Sequence, residues 1–243
     1  MSPAMTLPKS RLPAHGSASS NASASASSNA AAAPRAEAPV EAVSDSTCRS
    51  WLSQNQPERA VECFESVARG TGVGAQVALY EAARVSADGL HDATRALSLL
   101  DQHQQRFPDS ALRVEVEWLR IRNLERSGNL ADALTASEAL LDSAAGRALA
   151  PKLHLLRGRI YSEGRHDCAH AVREYVALLG EPGSAADEAE FRRAQCLEEL
   201  QQPNEAREAY EHYLGRPQPR DAERARARLT ALPAATPPTK DQP

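Results

Sequence analysis

The chain has 243 residues, a formal charge of −4 and ten aromatic side chains. Residues 1–47 hold 13 Ala, 11 Ser and 5 Pro and none of the aromatics, so they cannot bury enough apolar surface to offset their ordering entropy. They read as a disordered Ala/Ser/Pro-rich linker and residues 233–243 as a disordered tail. About 185 residues, 48–232, remain for one core. The charge excludes a globally basic, non-specific nucleic-acid binder, since Lys9, Arg11 and Arg35 balance Glu37, Glu41 and Asp45 and leave the −4 to the core.

The elements repeat in chain order. Ala60, Ala96, Ala133, Ala171 and Ala206 each stand early in an amphipathic segment, at spacings of 36, 37, 38 and 35, just after a turn signal. The turns fall at Asn55–Pro57, Asp88–Asp92, Gly128–Asn129, Gly164–Asp167 and Gln202–Asn204. Four residues beyond each alanine come Phe64, Leu100, Ser137, Tyr175 and Tyr210, mostly large and on the same helical face. From the second turn onward, another segment at helical spacing precedes the turn, such as Val114, Trp118, Ile121 and Leu124. Strand-like alternation is absent. The expected fold is all-α, a solenoid of about five antiparallel helix pairs.

With these residues placed, the chain resembles the tetratricopeptide-repeat family over most of 48–214, best in LLRGRIYSEGRHDCAHAVREYVALL and FRRAQCLEELQQPNEAREAYEHYL. Gly158 and Ala194 match the family's small residue in the first helix, Tyr161 and Leu197 its next packing position, and Ala171 and Ala206 its small residue in the second. Ile121 and Ser137 depart from that pattern. The resemblance implies a right-handed solenoid, non-catalytic, binding a protein or peptide partner in a concave groove. HQQRFPDSALRVEVEWL further resembles the bacterial envelope subgroup, the outer-membrane assembly lipoproteins and Tol-Pal-associated periplasmic proteins.

The cysteines bear on the compartment. Cys48 and Cys63 have their midpoint inside the turn SQNQP, and Cys168 and Cys196 have theirs inside GEPGSAAD. Across antiparallel helices about 8 to 10 Å apart, such pairs face one another within disulfide range. Two disulfides imply the bacterial periplasm or envelope, with the true start and its signal or anchor upstream of Met1. Free thiols serving as small buried residues are the alternative and would leave the protein cytoplasmic.

Catalytic and metal chemistry find no constellation, so no enzyme, no metal and no cofactor are expected. In HDCAH, His166 and His170 share a helical face, but Cys168 lies between them and points away. GTGVG at Gly70–Gly74 follows a helix and lacks the strand a dinucleotide site needs. Glu198 and Glu199 are adjacent on a helix and diverge. Arg220, Arg224 and Arg228 form a stripe interleaved with Asp221 and Glu223, a solvated face on a capping helix.

Aligning the first helices by their small residues brings Tyr80, Trp118, Leu155 and Phe191 to one position and Arg84, Arg122, Arg159 and Gln195 four residues later. The resemblance points these positions into the groove, as the partner-binding row. Where a ring and a guanidinium meet at i, i+4, Tyr80 with Arg84 and Trp118 with Arg122, cation-π stacking is possible, and the arginines would offer planar donors to a carboxylate-bearing peptide. Ordinary inter-helix packing in an arginine-rich chain is the other account. No nucleic-acid contact is expected, and membrane contact only through a missing anchor. The expected role is an envelope scaffold. The alternatives are the periplasmic sensor tail of a transmembrane anti-sigma regulator and a cytosolic accessory domain of an enzyme complex.

Overall fold

A computed structural model describes residues 44–233. The expectations for the terminal segments lie mostly outside these residues, but the first helix starts three residues ahead of the expected boundary at Cys48. Eleven α-helices follow one another among the described residues, with no strand. They are α1 (Asp45–Ser53), α2 (Pro57–Ala68), α3 (Gly72–Asp88), α4 (Ala93–Arg106), α5 (Arg113–Arg126), α6 (Leu130–Asp142), α7 (Ala150–Arg159), α8 (Cys168–Val176), α9 (Ser184–Glu199), α10 (Pro203–Leu214) and α11 (Ala222–Ala231). A 3₁₀ turn, Gly146–Leu149, leads into α7, and a π-helical turn, Ile160–Gly164, extends it. Each helix packs on the next, and the first helices of neighbouring pairs also touch, α3 on α5 and α7 on α9. Five pairs and one further first helix, α11, make up the described chain.

The five turns inside the pairs share one backbone device. Asn55, His91, Gly128, His166 and Gln201 all have φ between +52° and +79°, and each stands five residues before one of the repeating alanines. One left-handed residue stops the first helix, and the next residue both returns a hydrogen bond to it and begins the second. In this way Gln56 N–H donates to Trp51 O, Asn129 to Leu124 O and Gln202 to Leu197 O, at 2.9 Å each. The alanine N–H then donates back to that same residue's carbonyl, as from Ala60 to Gln56 and from Ala206 to Gln202. Side chains strengthen two of these starts: Asp92 accepts from Arg95 N–H and Asp167 from His170 N–H. Pro57 and Pro203 occupy first-turn positions where no N–H is needed.

Packing explains the alanine period. Ala60, Ala96, Ala133, Ala171 and Ala206 all have 0% exposure, as do Phe64, Leu100, Ser137, Tyr175 and Tyr210. Small residues let two helix axes approach, and the large residue one turn on fills the wedge behind them. The same logic makes Gly158 obligatory, because a Cβ there would lie 2.2 Å from the Tyr175 ring. At Ser137, where the pattern asks for bulk, the room is used differently. Arg157 reaches in to donate to Ser137 Oγ and Leu134 O, both at 3.2 Å, while its Nε donates to Glu174 at 2.8 Å. Burial works against the Glu174 carboxylate, yet hydrogen bonds from His154 and Arg157 outweigh it and hold its pKa below the ordinary value.

Both cysteine pairs stand at disulfide-bonding distance, with Cα atoms 5.2 Å apart for Cys48–Cys63 and 5.0 Å for Cys168–Cys196. The first ties α1 to α2 within a pair. The second ties α8 to α9 and so joins the fourth pair to the fifth.

Candidate functional site: the face of the first helices

The helices α3, α5, α7 and α9 hold the expected partner-binding row, and their side chains, with those of α1, form an ion-pair ladder. Arg49 in α1 pairs with Asp45 at 2.7 Å and reaches Glu81 in α3 at 3.5 Å. Glu81 also takes Arg84 at 2.6 Å. Asp88, at the end of α3, takes Arg122 at 3.5 Å and Arg126 at 3.1 Å from α5. From α7, Arg159 lies between Glu125 of α5, at 3.7 Å, and Glu188 of α9, at 3.8 Å. Arg192 of α9 closes the series on Glu188, at 2.7 Å, and on Glu163 of the π-helical turn.

This corrects the expected i, i+4 stacking. Arg84, Arg122 and Arg159 bridge to carboxylates, and Arg84 and Arg122 do not lie over the rings of Tyr80 and Trp118. The guanidinium-ring contacts among the described residues are Arg59 on Trp51, Arg106 on Phe107 and Arg224 on Phe191. Arg84 gains charge-assisted hydrogen bonds to Glu81, while Arg122 and Arg159 stand at ion-pair distance from their carboxylates, between 3.5 and 3.8 Å. Tyr80, Trp118 and Leu155 are half-buried and pack on the core. Phe191 is only 5% exposed, enclosed by Tyr210 at 6.0 Å and Tyr213 at 5.3 Å between ring centres. Burial pushes the pKa of Glu125 up, with Arg159 and Arg122 opposing it.

At the C-terminal end this face opens into a cleft of 620 Å³ between α7, α9 and the start of α11. Leu155 and Phe191 contribute apolar surface, and Lys152, Glu163, Arg192 and Arg220 contribute charge. A shallower extension of 330 Å³ shares Phe191, Gln195 and Arg224 and runs on to Glu199 and Arg228. Sequence reasoning placed Leu155 and Phe191 on this face but missed Lys152, the single lysine among the described residues. Its rarity in a chain with 25 arginines was the available signal.

The remaining candidates resolve locally. Asp167 in HDCAH caps α8, and its carboxylate also meets His170 Nδ1 at 2.7 Å, while His170 stacks on Tyr161 at 5.1 Å. No group of three or more His, Cys, Asp or Glu able to hold a metal ion occurs among the described residues. GTGVG runs from the α2–α3 connection into the first turn of α3, with Gly72 at φ +77°. Glu198 takes Tyr210 and Arg228, whereas Glu199 faces Cys168 Sγ at 3.2 Å. Arg224 pairs with Asp221 at 2.8 Å. No described helix is long and apolar enough to cross a membrane.

Comparison with known proteins places this geometry. Residues 188–217, covering most of α9 and all of α10, match the tetratricopeptide-repeat family. Among solved structures, the chain is similar to the crystal structure of a Podosopora anserina kinesin light chain described as nearly identical TPR-like repeats. The TM-score is 0.52 at 15% identity, over 77% of this chain and 94% of that chain. No curated protein matches the sequence. The fold is therefore that of a TPR-like helical repeat, and repeats of this kind generally bind protein partners.

Proposed function

We propose that this TPR-like solenoid is a non-catalytic protein-interaction scaffold of the bacterial cell envelope, holding a partner segment along the face of its first helices. The observation that carries the scaffold reading is the open face itself, a row of first helices ending in a 620 Å³ cleft with both apolar and charged walls. Tyr80, Trp118 and Leu155 mark its length. The compartment rests on the two cysteine pairs at bonding distance, since cytosolic thiol pools keep structural pairs of this kind reduced. The similarity of HQQRFPDSALRVEVEWL to envelope repeat proteins supports the same placement.

Photo-crosslinking in the native cell tests both parts. A benzophenone amino acid at Tyr80, Trp118 or Leu155 is expected to trap a discrete partner, and one at Glu62 or Glu138 on the second helices is not. Partner adducts confined to the second-helix positions would overturn the reading. Mass spectrometry after alkylation, with and without reductant, is expected to find all four cysteines protected until reduced. Four freely alkylated thiols would move the protein to a reducing compartment.

A further inference from the structure

Five connections lead from a second helix to the next first helix, and side chains pin four of them. In α2–α3, Gly70 O accepts from the Arg106 guanidinium at 3.0 Å. In α4–α5, Ser110 Oγ donates to Gln76 at 2.9 Å and accepts from Leu112 N–H at 3.1 Å. Ser143 Oγ accepts from Gly146 N–H at 2.9 Å ahead of α7. In α10–α11, the Tyr213 hydroxyl accepts from Asp221 N–H at 2.8 Å, and Arg216 pairs with Asp187 at 2.7 Å.

The α8–α9 connection, residues 177–183, has no such hold: among the described residues no side-chain hydrogen bond or ion pair reaches it. Leu178 and Ala186 are buried at its two ends, in one cluster with Cys168 and Cys196. Residues 179–184 between them are all exposed. After Glu181 N–H, which donates to Leu178 O at 3.2 Å, the next bonded N–H is that of Asp187, to Gly183 O. A Cβ at Gly180 or Gly183 would meet nothing within 4 Å. Val176 and Leu179, two of the four exposed large apolar side chains among the described residues, stand beside this stretch. Such a segment can take the extended form that an endoprotease requires without unfolding a helix.

We propose that the α8–α9 connection is a processing site, at which an endoprotease that accepts a large aliphatic side chain hydrolyses the peptide bond between Leu179 and Gly180. The oxygen of a water molecule joins the Leu179 carbonyl carbon to give a carboxylate, and the amide nitrogen takes both water protons and leaves as the Gly180 ammonium. The break falls inside the loop closed by Cys168 and Cys196, so the two chains stay joined. It releases the first turn of α9, whose Ser184, Ala185 and Asp187 line the 620 Å³ cleft. The new ammonium, four residues ahead of Ser184, opposes the partial positive charge of that helix end. Processing thus reshapes the cleft while the solenoid stays whole, independently of what the scaffold holds.

Limited digestion of the full chain with chymotrypsin, which cuts after large apolar residues, tests the site. Leu200 is the internal rival, 37% exposed against 38% for Leu179. Its backbone is held, since Leu200 N–H donates to Cys196 O at 3.0 Å and Gln202 N–H to Leu197 O at 2.9 Å. Leu7, Leu12 and Leu232 each precede a proline and are poor sites. The first cut is expected after Leu179, giving residues 1–179 and 180–243 that run as one band without reductant and as two with it. Leu179→Asp, at an exposed position, is expected to slow that cut about tenfold with an unchanged circular dichroism spectrum. A first cut at Leu200 or within residues 69–74, or fragments that part without reductant, would overturn the assignment. In protein isolated from its native cell, amine labelling before tryptic mapping is expected to find a free amine at Gly180. A native chain unbroken between Leu178 and Ala186 would remove the processing role.

Discussion

Gly158 and His103 show how single positions set the tolerance of this fold. Gly158 faces a Tyr175 ring that has 0% exposure and whose hydroxyl meets Ser162 Oγ at 3.0 Å, so the ring cannot swing aside to admit a methyl group. Gly158→Ala is therefore expected to cost about 1 to 3 kcal/mol by overpacking, despite the better helix propensity of alanine. A urea titration that showed the variant as stable as wild type would contradict this packing. His103 is 1% exposed in α4, its Nε2 has no hydrogen-bond partner, and its ring meets Phe107 edge-on at 5.6 Å. Burial lowers its pKa, so the folded chain keeps it neutral while the unfolded chain protonates near pH 6.5. Stability is then lost as pH falls below about 6.5 toward the depressed folded value. Gln104, Arg113 and Glu117 line the same 220 Å³ cavity. Burial raises the Glu117 pKa, giving an opposite slope that both proteins in a comparison share. The expected outcome is that His103→Leu loses less stability than wild type between pH 7.5 and 5.5, read from urea midpoints at each pH.

At the level of helices, the parts written locally in the chain could be read from it and the parts written between distant residues could not. The alanine period and the residue one turn later, bulky in four of the five, each lie within a single helix, and the alanines marked all five second helices. The turns carried weaker marks, because His91, His166 and Gln201 adopt a left-handed conformation more often taken by glycine or asparagine. The rungs of the ion-pair ladder that join different repeats left no local mark: the carboxylate that holds Arg122 is Asp88, one repeat away. Phe191 was placed on the open face by alignment with Tyr80, but α10 and α11 enclose it, since α11 continues the row of first helices beyond the last complete pair. The cysteines were legible because antiparallel geometry pairs residues equidistant from a turn. Their surroundings differ in a way that only packing shows. Cys63 is half-buried, whereas Cys168 and Cys196 are buried at 5% and 3% exposure. Mild reductant on the folded protein is expected to open Cys48–Cys63 well before Cys168–Cys196, measured by timed alkylation and peptide mapping. Simultaneous opening would mean that access is governed by global unfolding.

Across the whole molecule, stability follows the logic of a stacked array in which each pair leans on its neighbours. The clusters of buried side chains follow the chain from Cys48 to Ala225. The two cysteine bridges are placed unevenly on this array, one clamping the first pair and the other the junction of the fourth and fifth. Considered as a mechanical object pulled from its two ends, the protein has two reinforced segments, Cys48–Cys63 and Cys168–Cys196, with unreinforced helices between them and beyond the second. The loops of 15 and 28 residues closed by the bridges cannot lengthen. Tension therefore falls on the stretch between Cys63 in α2 and Cys168 at the start of α8, and on α10 and α11 beyond Cys196. The cleft straddles that division, with the clamped α9 as one wall and the unclamped α7 and α11 as the others, so a pull that makes the solenoid yield would also reshape the cleft.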